Sequence, residues 1–183
     1  EYLLSDYLET TNEPYAIAKI AGIKLCENYF LQYGDNFISV IPANVFGPGD
    51  DFSAENSHVV AALMRRMHEA KLNDDRAVKI WGTGKPRREF IFADDLGAAC
   101  VFLMKLYNEE EPVNIGSGAA LSISDLAETV KKVTGFEGCL EFDNSRPDGM
   151  PEKVLDSSRL FSLGWESPNS FEISVERTYL SFV

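Results

Sequence analysis

Residues 13–48 read EPYAIAKIAGIKLCENYFLQYGDNFISVIPANVFGP, and this stretch decides the fold class. Pro14 suits the first turn of a helix that is predicted to run to about Tyr33. Residues 36–42 then form a short, largely apolar run of the kind that a buried parallel strand shows. A helix followed by such a strand predicts a mixed α/β protein that binds its ligand at the strand's carboxyl end, in the loop of residues 43–56.

The rest of the chain continues this alternation of helices and strands. Helices are predicted at residues 57–70, 94–107 and 122–133, short helices near Ser157 and Phe171, and strands at 78–81, 89–92, 112–116 and 139–142. Asp94 is expected to cap its helix, and Ser122 with Asp125 to form a capping box. The pattern predicts an α/β chain that supplies only part of a nucleotide-binding fold.

Gly116, Ser117 and Gly118 come nearest to a GxGxxG dinucleotide fingerprint. They follow a predicted strand and precede a predicted helix, but the third glycine position is occupied by Leu121. The missing glycine normally permits close packing of the helix on the strand. A plain turn between strand and helix is therefore the better interpretation.

The composition narrows the classes of partner. The 183 residues carry a formal net charge of -12, which argues against nucleic acid because phosphate binding relies on clustered Lys and Arg. No apolar run approaches the roughly 20 residues of a membrane span. The three cysteines are widely spaced and predict neither a disulfide framework nor a metal site. We therefore expect a cytoplasmic protein without a metal.

Tyr15 and Lys19 stand four residues apart on the predicted first helix, so both side chains lie on one face. A phenol is a weak acid at neutral pH, and an adjacent ammonium stabilises its phenolate form. Tyr15 can then protonate a carbonyl oxygen while hydride arrives, and Lys19 can hydrogen-bond a cofactor ribose. The same spacing also occurs in surface pairs without function, so the two residues alone leave both interpretations open.

Seven motifs, in order along the chain, resemble those of known enzymes. NEPYAIAKIAG at residues 12–22 resembles the active-site helix of the extended short-chain dehydrogenases, and PANVFGP at 42–48 resembles their nucleotide-sugar loop. Five more resemble the GDP-L-fucose synthase family: NSHV (56–59), LMRRMHEA (63–70), WGTGKPRREF (81–90), VNIGSG (113–118) and RPDGMPEK (146–153). The resemblance spans essentially the whole chain.

This resemblance implies the C-terminal part of an extended short-chain dehydrogenase. Such a part comprises the end of a Rossmann-type parallel sheet and a smaller α/β substrate-binding domain. Residues 1–50 would be the remnant of the NADP-binding Rossmann domain that carries the YxxxK helix. Residues 51–183 would be mainly the nucleotide-sugar-binding domain, with some segments returning to the Rossmann domain.

The family epimerises GDP-4-keto-6-deoxy-D-mannose at two carbons and then reduces the 4-keto group with NADPH. By resemblance, Tyr15 is the general acid of the reduction, and Lys19 tunes it and contacts the nicotinamide ribose. His58 matches the histidine that works with a cysteine in the epimerisation and that lies by the cofactor. Taken alone, a histidine at a helix start is more often a cap or a surface residue. His68 is assigned no role.

The resemblance also assigns the binding residues. Four are expected to wrap the nicotinamide end of NADP(H), largely through backbone groups: Pro42, Ala43, Asn44 and Val45. Four more are expected to contact the GDP-sugar substrate: Arg66, Trp81, Arg88 and Asp148. A guanidinium suits pyrophosphate because it makes paired hydrogen bonds. Ordinary roles stay open, since Trp81 also suits a core, Asp148 also suits a local turn, and arginines often lie on a solvated surface.

Three parts of the family's machinery are missing from the sequence: the glycine-rich cofactor loop, the catalytic serine and the epimerase cysteine. Ser5 lies outside any predicted strand and does not match the serine, and Cys26, Cys100 and Cys139 do not match the cysteine. We therefore expect the 183 residues to be a truncated form without reductase activity of its own. The longer protein is expected to be a homodimer.

Two other functions stay open. A sugar-nucleotide 4-epimerase or 4,6-dehydratase shares the YxxxK helix and the strand-end loop, and His58 within NSHV is the feature that favours an epimerase-reductase. A non-catalytic nucleotide-sugar-binding module would keep the fold but leave Tyr15 and Lys19 idle. Thermal stabilisation by GDP sugars without turnover would favour the binding module.

Overall fold

The computed structural model describes residues 7–8 and 10–183, so Ser5 lies outside the described residues. The chain divides into two compact units. Unit 1 comprises the residues up to Ile41 together with Cys100–Val113, and unit 2 comprises Pro42–Ala99 together with Asn114–Val183. Each unit is therefore built from two separate stretches of the chain.

The described residues confirm the predicted mixed α/β class. The helices are α1 Glu13–Tyr33, α2 Val59–Leu72, α3 Ala93–Leu106, α4 Ile123–Thr134, α5 Ser158–Ser162 and α6 Phe171–Phe182, with a 3₁₀ turn at Thr10–Asn12. The strands are β1 Val40–Pro42, β2 Asn44–Phe46, β3 Ala77–Trp81, β4 Arg87–Phe92, β5 Val113–Ile115, β6 Ala120–Ser122, β7 Cys139–Asp143 and β8 Glu152–Lys153. Within this described part of the chain, none of the helices combines the length and apolarity that crossing a bilayer requires.

Helix α1 begins and ends where the sequence predicts. Pro14 lies in its first turn, where the missing N–H costs no hydrogen bond. Gly34 ends the helix in the left-handed conformation, with φ of 71°, and its N–H donates to the carbonyl of Phe30 at 2.9 Å. None of the 21 residues of α1 is buried. The helix therefore contributes exposed side chains, including Tyr15 and Lys19, rather than a core.

Strand β4 is the centre of the largest sheet. It pairs in parallel with β2 and with the short strand β8, where Arg88 lies opposite Lys153, and it pairs antiparallel with β6. Strands β3 and β7 form a separate parallel pair that ends with Trp81 opposite Asp143. Strand β1 pairs with β5. The first half of β4, which carries Arg88, is thus flanked by two later segments of the chain.

Unit 2 contains a continuous apolar core between helices α2, α4 and α6 and strands β2, β3 and β4. Its buried members are Phe46, Val60, Leu63, Met64, Met67, Ala70, Val78, Ile80, Phe90, Phe92, Leu126, Ala127, Val130, Phe136 and Val175. The predicted capping box is confirmed at the start of α4, where the Asp125 N–H donates to the Ser122 hydroxyl at 3.0 Å. The local capping signal of α4 therefore agrees with the packing of that helix in the core.

Three features differ from the sequence predictions. The strand expected at residues 36–42 is reduced to β1, because the Phe37 N–H donates to the carbonyl of Asp35 in a tight turn at 2.9 Å. Strands β2, β6 and β8 form where no strand is predicted, because β4 supplies them with pairing partners. Asp94 lies inside the first turn of α3, and its carboxylate pairs with Arg177 at 2.6 Å, so its predicted role as the cap is wrong.

Candidate functional site

Unit 1 carries the predicted proton-transfer pair on α1. The Lys19 ammonium nitrogen is 5.3 Å from the centroid of the Tyr15 ring. This is a cation–π distance, so the two side chains meet as their spacing predicts. Tyr15 is 59% exposed, and its hydroxyl has no hydrogen-bond partner among the described residues. Both polar groups therefore remain available to a ligand.

The segment predicted to wrap the nicotinamide end follows β1. The Ala43 N–H donates to the backbone of β5 at 2.9 Å, and the Asn44 side-chain amide donates to the backbone of β4 at 2.7 Å. Pro42 and Val45 are exposed. These two donors hold the segment in place, while Pro42 and Val45 form the part that a ligand can reach.

His58 stands at the N-cap of α2. Its φ of -71° and ψ of 163° are extended, and its side chain makes no capping hydrogen bond. Hydrogen bonds from Ser53 are the main cause of the lowered pKa of Asp51, and the charge of the nearby His58 lowers that pKa further. His58 is exposed and does not cap α2 with its side chain, so its imidazole is accessible to a ligand.

Trp81 ends β3 as an exposed side chain. It is 67% exposed, so the alternative of a core aromatic is wrong. The guanidinium carbon of Arg146 is 5.1 Å from the centroid of the Trp81 ring, which is a cation–π contact. An exposed indole beside a cation is an arrangement that can hold a flat base or a sugar together with a phosphate.

The Asp148 carboxylate closes the turn that follows Trp81. Its two oxygens accept from the Thr83 N–H at 2.6 Å and from the Thr83 hydroxyl at 2.8 Å. Gly82 permits this approach, because a Cβ there would lie 2.3 Å from Asp148 Oδ1, and its φ of 79° favours glycine. These hydrogen bonds lower the pKa of Asp148. The local turn role that the residue type suggests is therefore present, and a ligand contact stays a prediction.

The arginine pair on α2 divides into two environments. Arg65 pairs with Glu69 on the next turn at 2.9 Å. Arg66 donates to the backbone carbonyl of Lys79 and has no carboxylate partner among the described residues. Burial lowers the pKa of Arg66, and the neighbouring Arg65 lowers it further. Within the part of the chain that the structure describes, Arg66 is thus the member of the pair without an anionic partner.

The pair on β4 divides in the same way. Arg87 donates to the carbonyl of Ala120 at 2.7 Å and lies 3.6 Å from the carboxylate of Glu152. Arg88 donates to the carbonyl of Arg87 at 2.8 Å, and it has no carboxylate partner among the described residues. Arg88 is half-buried. A guanidinium in this state can accept an anionic ligand without first giving up an ion pair.

Two residues of this region were not singled out from the sequence. Lys153 lies opposite Arg88 in the β4–β8 pair, which sets a second cation beside it. Lys153 belongs to the RPDGMPEK motif, but a strand of two residues is too short for its hydrophobic pattern to predict the pairing with β4. Glu89 is fully buried, and its only sequence signal is its place directly before the apolar end of β4, Phe90 to Phe92.

Glu89 also gives Gly116 and Gly118 a structural role, although they do not form a GxGxxG dinucleotide fingerprint. The Gly118 N–H donates to its carboxylate at 2.7 Å, and a Cβ at Gly116 would lie 2.3 Å from the same oxygen. Gly118 therefore supplies a hydrogen-bond donor to Glu89, and Gly116 leaves room for its carboxylate.

No cluster of three or more metal-binding side chains occurs in the part of the chain that the structure describes.

The fold and the Tyr–Lys helix define an α/β protein of the extended short-chain dehydrogenase class. The profile of the NAD dependent epimerase/dehydratase family matches residues 1–116, which is more than half of the chain. The chain belongs to this family.

Three relatives carry related names. The chain is 53% identical to the GDP-L-fucose synthase of Sinorhizobium fredii, over 100% of the chain and 58% of the relative. It is 55% identical to GDP-L-fucose synthase 1 of Arabidopsis thaliana, over 97% of the chain and 55% of the relative. The solved GDP-L-fucose synthetase of Naegleria fowleri bound to NADP matches with a TM-score of 0.90 at 30% identity, covering 98% of the chain and 58% of that protein. The chain thus spans a little over half the length of these relatives.

Proposed function

We propose that the protein containing this chain makes GDP-L-fucose from GDP-4-keto-6-deoxy-D-mannose. It epimerises the sugar at the two carbons beside the ketone and reduces the 4-keto group with NADPH. The observation that carries the proposal is the Tyr15–Lys19 contact, in a chain that is more than half identical to two GDP-L-fucose synthases. Reduction of a ketone needs a proton donor at its oxygen, and a phenol beside an ammonium can supply that proton.

The residues present fit a nicotinamide dinucleotide. Lys19 is exposed and has no carboxylate partner among the described residues, so its ammonium can donate to a ribose hydroxyl. Pro42, Val45 and His58 are exposed and available for the contacts proposed with the nicotinamide end. When bound, the cofactor supplies the hydride. The choice of NADP(H) is supported by the NADP-bound N. fowleri relative.

The chain's own residues handle the protons. Tyr15 donates its hydroxyl proton to the 4-oxygen as that oxygen gains charge, and the Lys19 ammonium stabilises the phenolate that remains. His58 exchanges protons with the carbons on either side of the ketone, where the C–H bonds are most acidic. The epimerisation is proposed to need a second acid–base group, a cysteine in the part of the relatives that this chain does not cover.

Unit 2 carries the proposed contacts with the GDP sugar. Arg66 and Arg88 lack carboxylate partners among the described residues and can pair with the pyrophosphate. Trp81 offers an exposed face, and Asp148 lies on the segment next to it. We also propose residues 1–50 as the cofactor-binding domain and residues 51–183 mainly as the GDP-sugar-binding domain, with some segments returning to the cofactor-binding domain. The whole protein is proposed to be a cytoplasmic homodimer.

Separate Tyr15→Phe and His58→Asn substitutions in the whole protein test this division of labour. Tyr15→Phe is expected to slow NADPH oxidation with GDP-4-keto-6-deoxy-D-mannose by about 10²- to 10⁴-fold, because the general acid is lost. His58→Asn is expected to abolish the exchange of the two sugar C–H protons with deuterated water, measured by NMR.

Tyr33→Phe and His68→Asn are matched controls on the same two helices. Tyr33 is exposed near the end of α1, and His68 Nδ1 lies 2.9 Å from the hydroxyl of Tyr179. Both variants should keep reduction and proton exchange close to the wild-type rates. Stabilisation of the whole protein by GDP sugars without turnover would favour the binding module instead. Interconversion of epimers at the 4-carbon alone would favour a 4-epimerase, and either result contradicts the proposal.

A further inference from the structure

Strand β4 carries a carboxylate within its buried stretch. Glu89 is 0% exposed, and the three residues that follow it, Phe90, Ile91 and Phe92, are buried apolar side chains. Burying a carboxylate is costly unless its oxygens accept hydrogen bonds. An apolar residue would pack here without that cost, so the contacts of Glu89 indicate what the side chain is for.

Both oxygens of Glu89 are used, by two distant segments. Oε1 accepts from the Gly118 N–H at 2.7 Å, and Oε2 accepts from the Leu155 N–H at 2.9 Å. Hydrogen bonds to a carboxylate are stronger than those between neutral groups. One side chain thereby joins β4 to the turn after β5 and to the segment that follows β8.

The segment that leads to Leu155 has little burial of its own. Residues 144–154 are all exposed, so no buried side chain anchors them. Hydrogen bonds through Asp148 and Pro151 lie at exposed positions, where water competes with them. The Glu89–Leu155 hydrogen bond is made by a fully buried carboxylate and is shielded from that competition.

We propose that Glu89 is a positioning residue of the GDP-sugar site, an inference that rests on the proposed function. Its carboxylate holds the segment of residues 146–155, which carries Asp148 and Lys153, in register with Arg88. Lys153 lies opposite Arg88 in the strand pair. Arg88 and Glu89 point to opposite faces of β4, because side chains alternate along a strand. Glu89 therefore fixes, from the buried face, the spacing of two cations on the other face.

The test compares Glu89→Gln with Asp95→Asn in the whole protein. Asp95 is a second buried carboxylate of unit 2, 2% exposed, and it accepts from the side chains of Ser167 and Asn169. Each substitution replaces an acceptor oxygen with an NH₂ group at a buried site, so both should lower stability. Only Glu89→Gln is expected to release the segment of residues 146–155.

Two measurements separate a positioning role from a purely structural one, at a temperature where both variants are folded. Amide hydrogen exchange, followed by mass spectrometry without ligand, should accelerate at residues 116–118 and 146–155 in Glu89→Gln alone. The Kd for GDP, measured by calorimetry, should rise about tenfold in Glu89→Gln and less than about twofold in Asp95→Asn. Glu89→Asp keeps a carboxylate and should recover part of the affinity.

Equal weakening of GDP binding in the Gln and Asn variants would overturn the proposal, as would unchanged amide exchange in Glu89→Gln. If Glu89→Gln does not fold, Glu89→Asp carries the same test, because its shorter side chain cannot keep both contacts, and an unchanged Kd for GDP would then overturn the proposal. Failure of the wild-type protein to bind GDP would refute the proposed function, and with it the inference. The exchange data would still show whether Glu89 holds the segment.

Discussion

Helices α1 and α2 differ in how much of their side-chain surface the described residues bury. None of the 21 residues of α1 is buried, and five of its large side chains are more than half exposed: Tyr15, Ile17, Leu25, Leu31 and Tyr33. In α2, by contrast, six of 14 residues are buried in the core of unit 2. The difference teaches that the proposed proton-transfer pair lies on a helix with little burial among the described residues, whereas the proposed GDP-sugar contacts lie on elements that pack into a core.

The largest expected effect on stability comes from truncating the same residue type in each unit. Leu126 is 0% exposed in the core of unit 2, and Leu25 is 59% exposed on α1. Leu126→Ala should lower the free energy of unfolding by about 2–5 kcal/mol, and Leu25→Ala by less than about 0.5 kcal/mol. Urea titration of both variants measures this. A loss at Leu25 as large as that at Leu126 would show that α1 is covered in solution and would contradict the contrast.

The next largest expected effect on stability concerns the residues that precede helices α4 and α1. Ser122 caps α4 through a reciprocal capping box, whereas Asn12 at the start of α1 makes no side-chain cap hydrogen bond. Ser122→Ala should therefore cost about 1 kcal/mol of unfolding free energy, and Asn12→Ala a few tenths at most. Thermal unfolding of the two variants checks the prediction, and equal costs would refute it.

The smallest effect concerns the Asp148–Thr83 contact of unit 2. Hydrogen bonds from Thr83 hold the pKa of Asp148 below its ordinary value, so their contribution to stability is complete above the ordinary carboxyl pKa of about 4. It is lost as the pH falls through the lowered pKa. Thr83→Val removes the hydroxyl donor and should raise the pKa of Asp148 toward its ordinary value, as followed by NMR of the carboxyl carbon. An unchanged pKa would show that the hydroxyl contributes nothing.

Local signals predicted a large part of the fold. Helix α1, the capping box on α4 and the strands β3 and β4 follow from turn residues, caps and periodicity that act within a few residues. The contact between Tyr15 and Lys19 follows from helical geometry alone. These features required no knowledge of distant parts of the chain.

Long-range contacts explain the features that local sequence signals do not predict. Strands β2, β6 and β8 exist because β4 pairs with them, and Glu89 is held by amides 29 and 66 residues away. Trp81 resembles a core residue by type, and only its observed exposure excludes that role.

By itself, the sequence determined the α/β class, the helix that carries Tyr15 and Lys19, and the family resemblance, because these depend on local geometry and on ordered motifs. The tertiary structure alone decided which glycines make room for Glu89 and which exposed segment that buried carboxylate holds. Those properties arise from contacts between residues far apart in the chain, where burial and hydrogen bonding outweigh local preference.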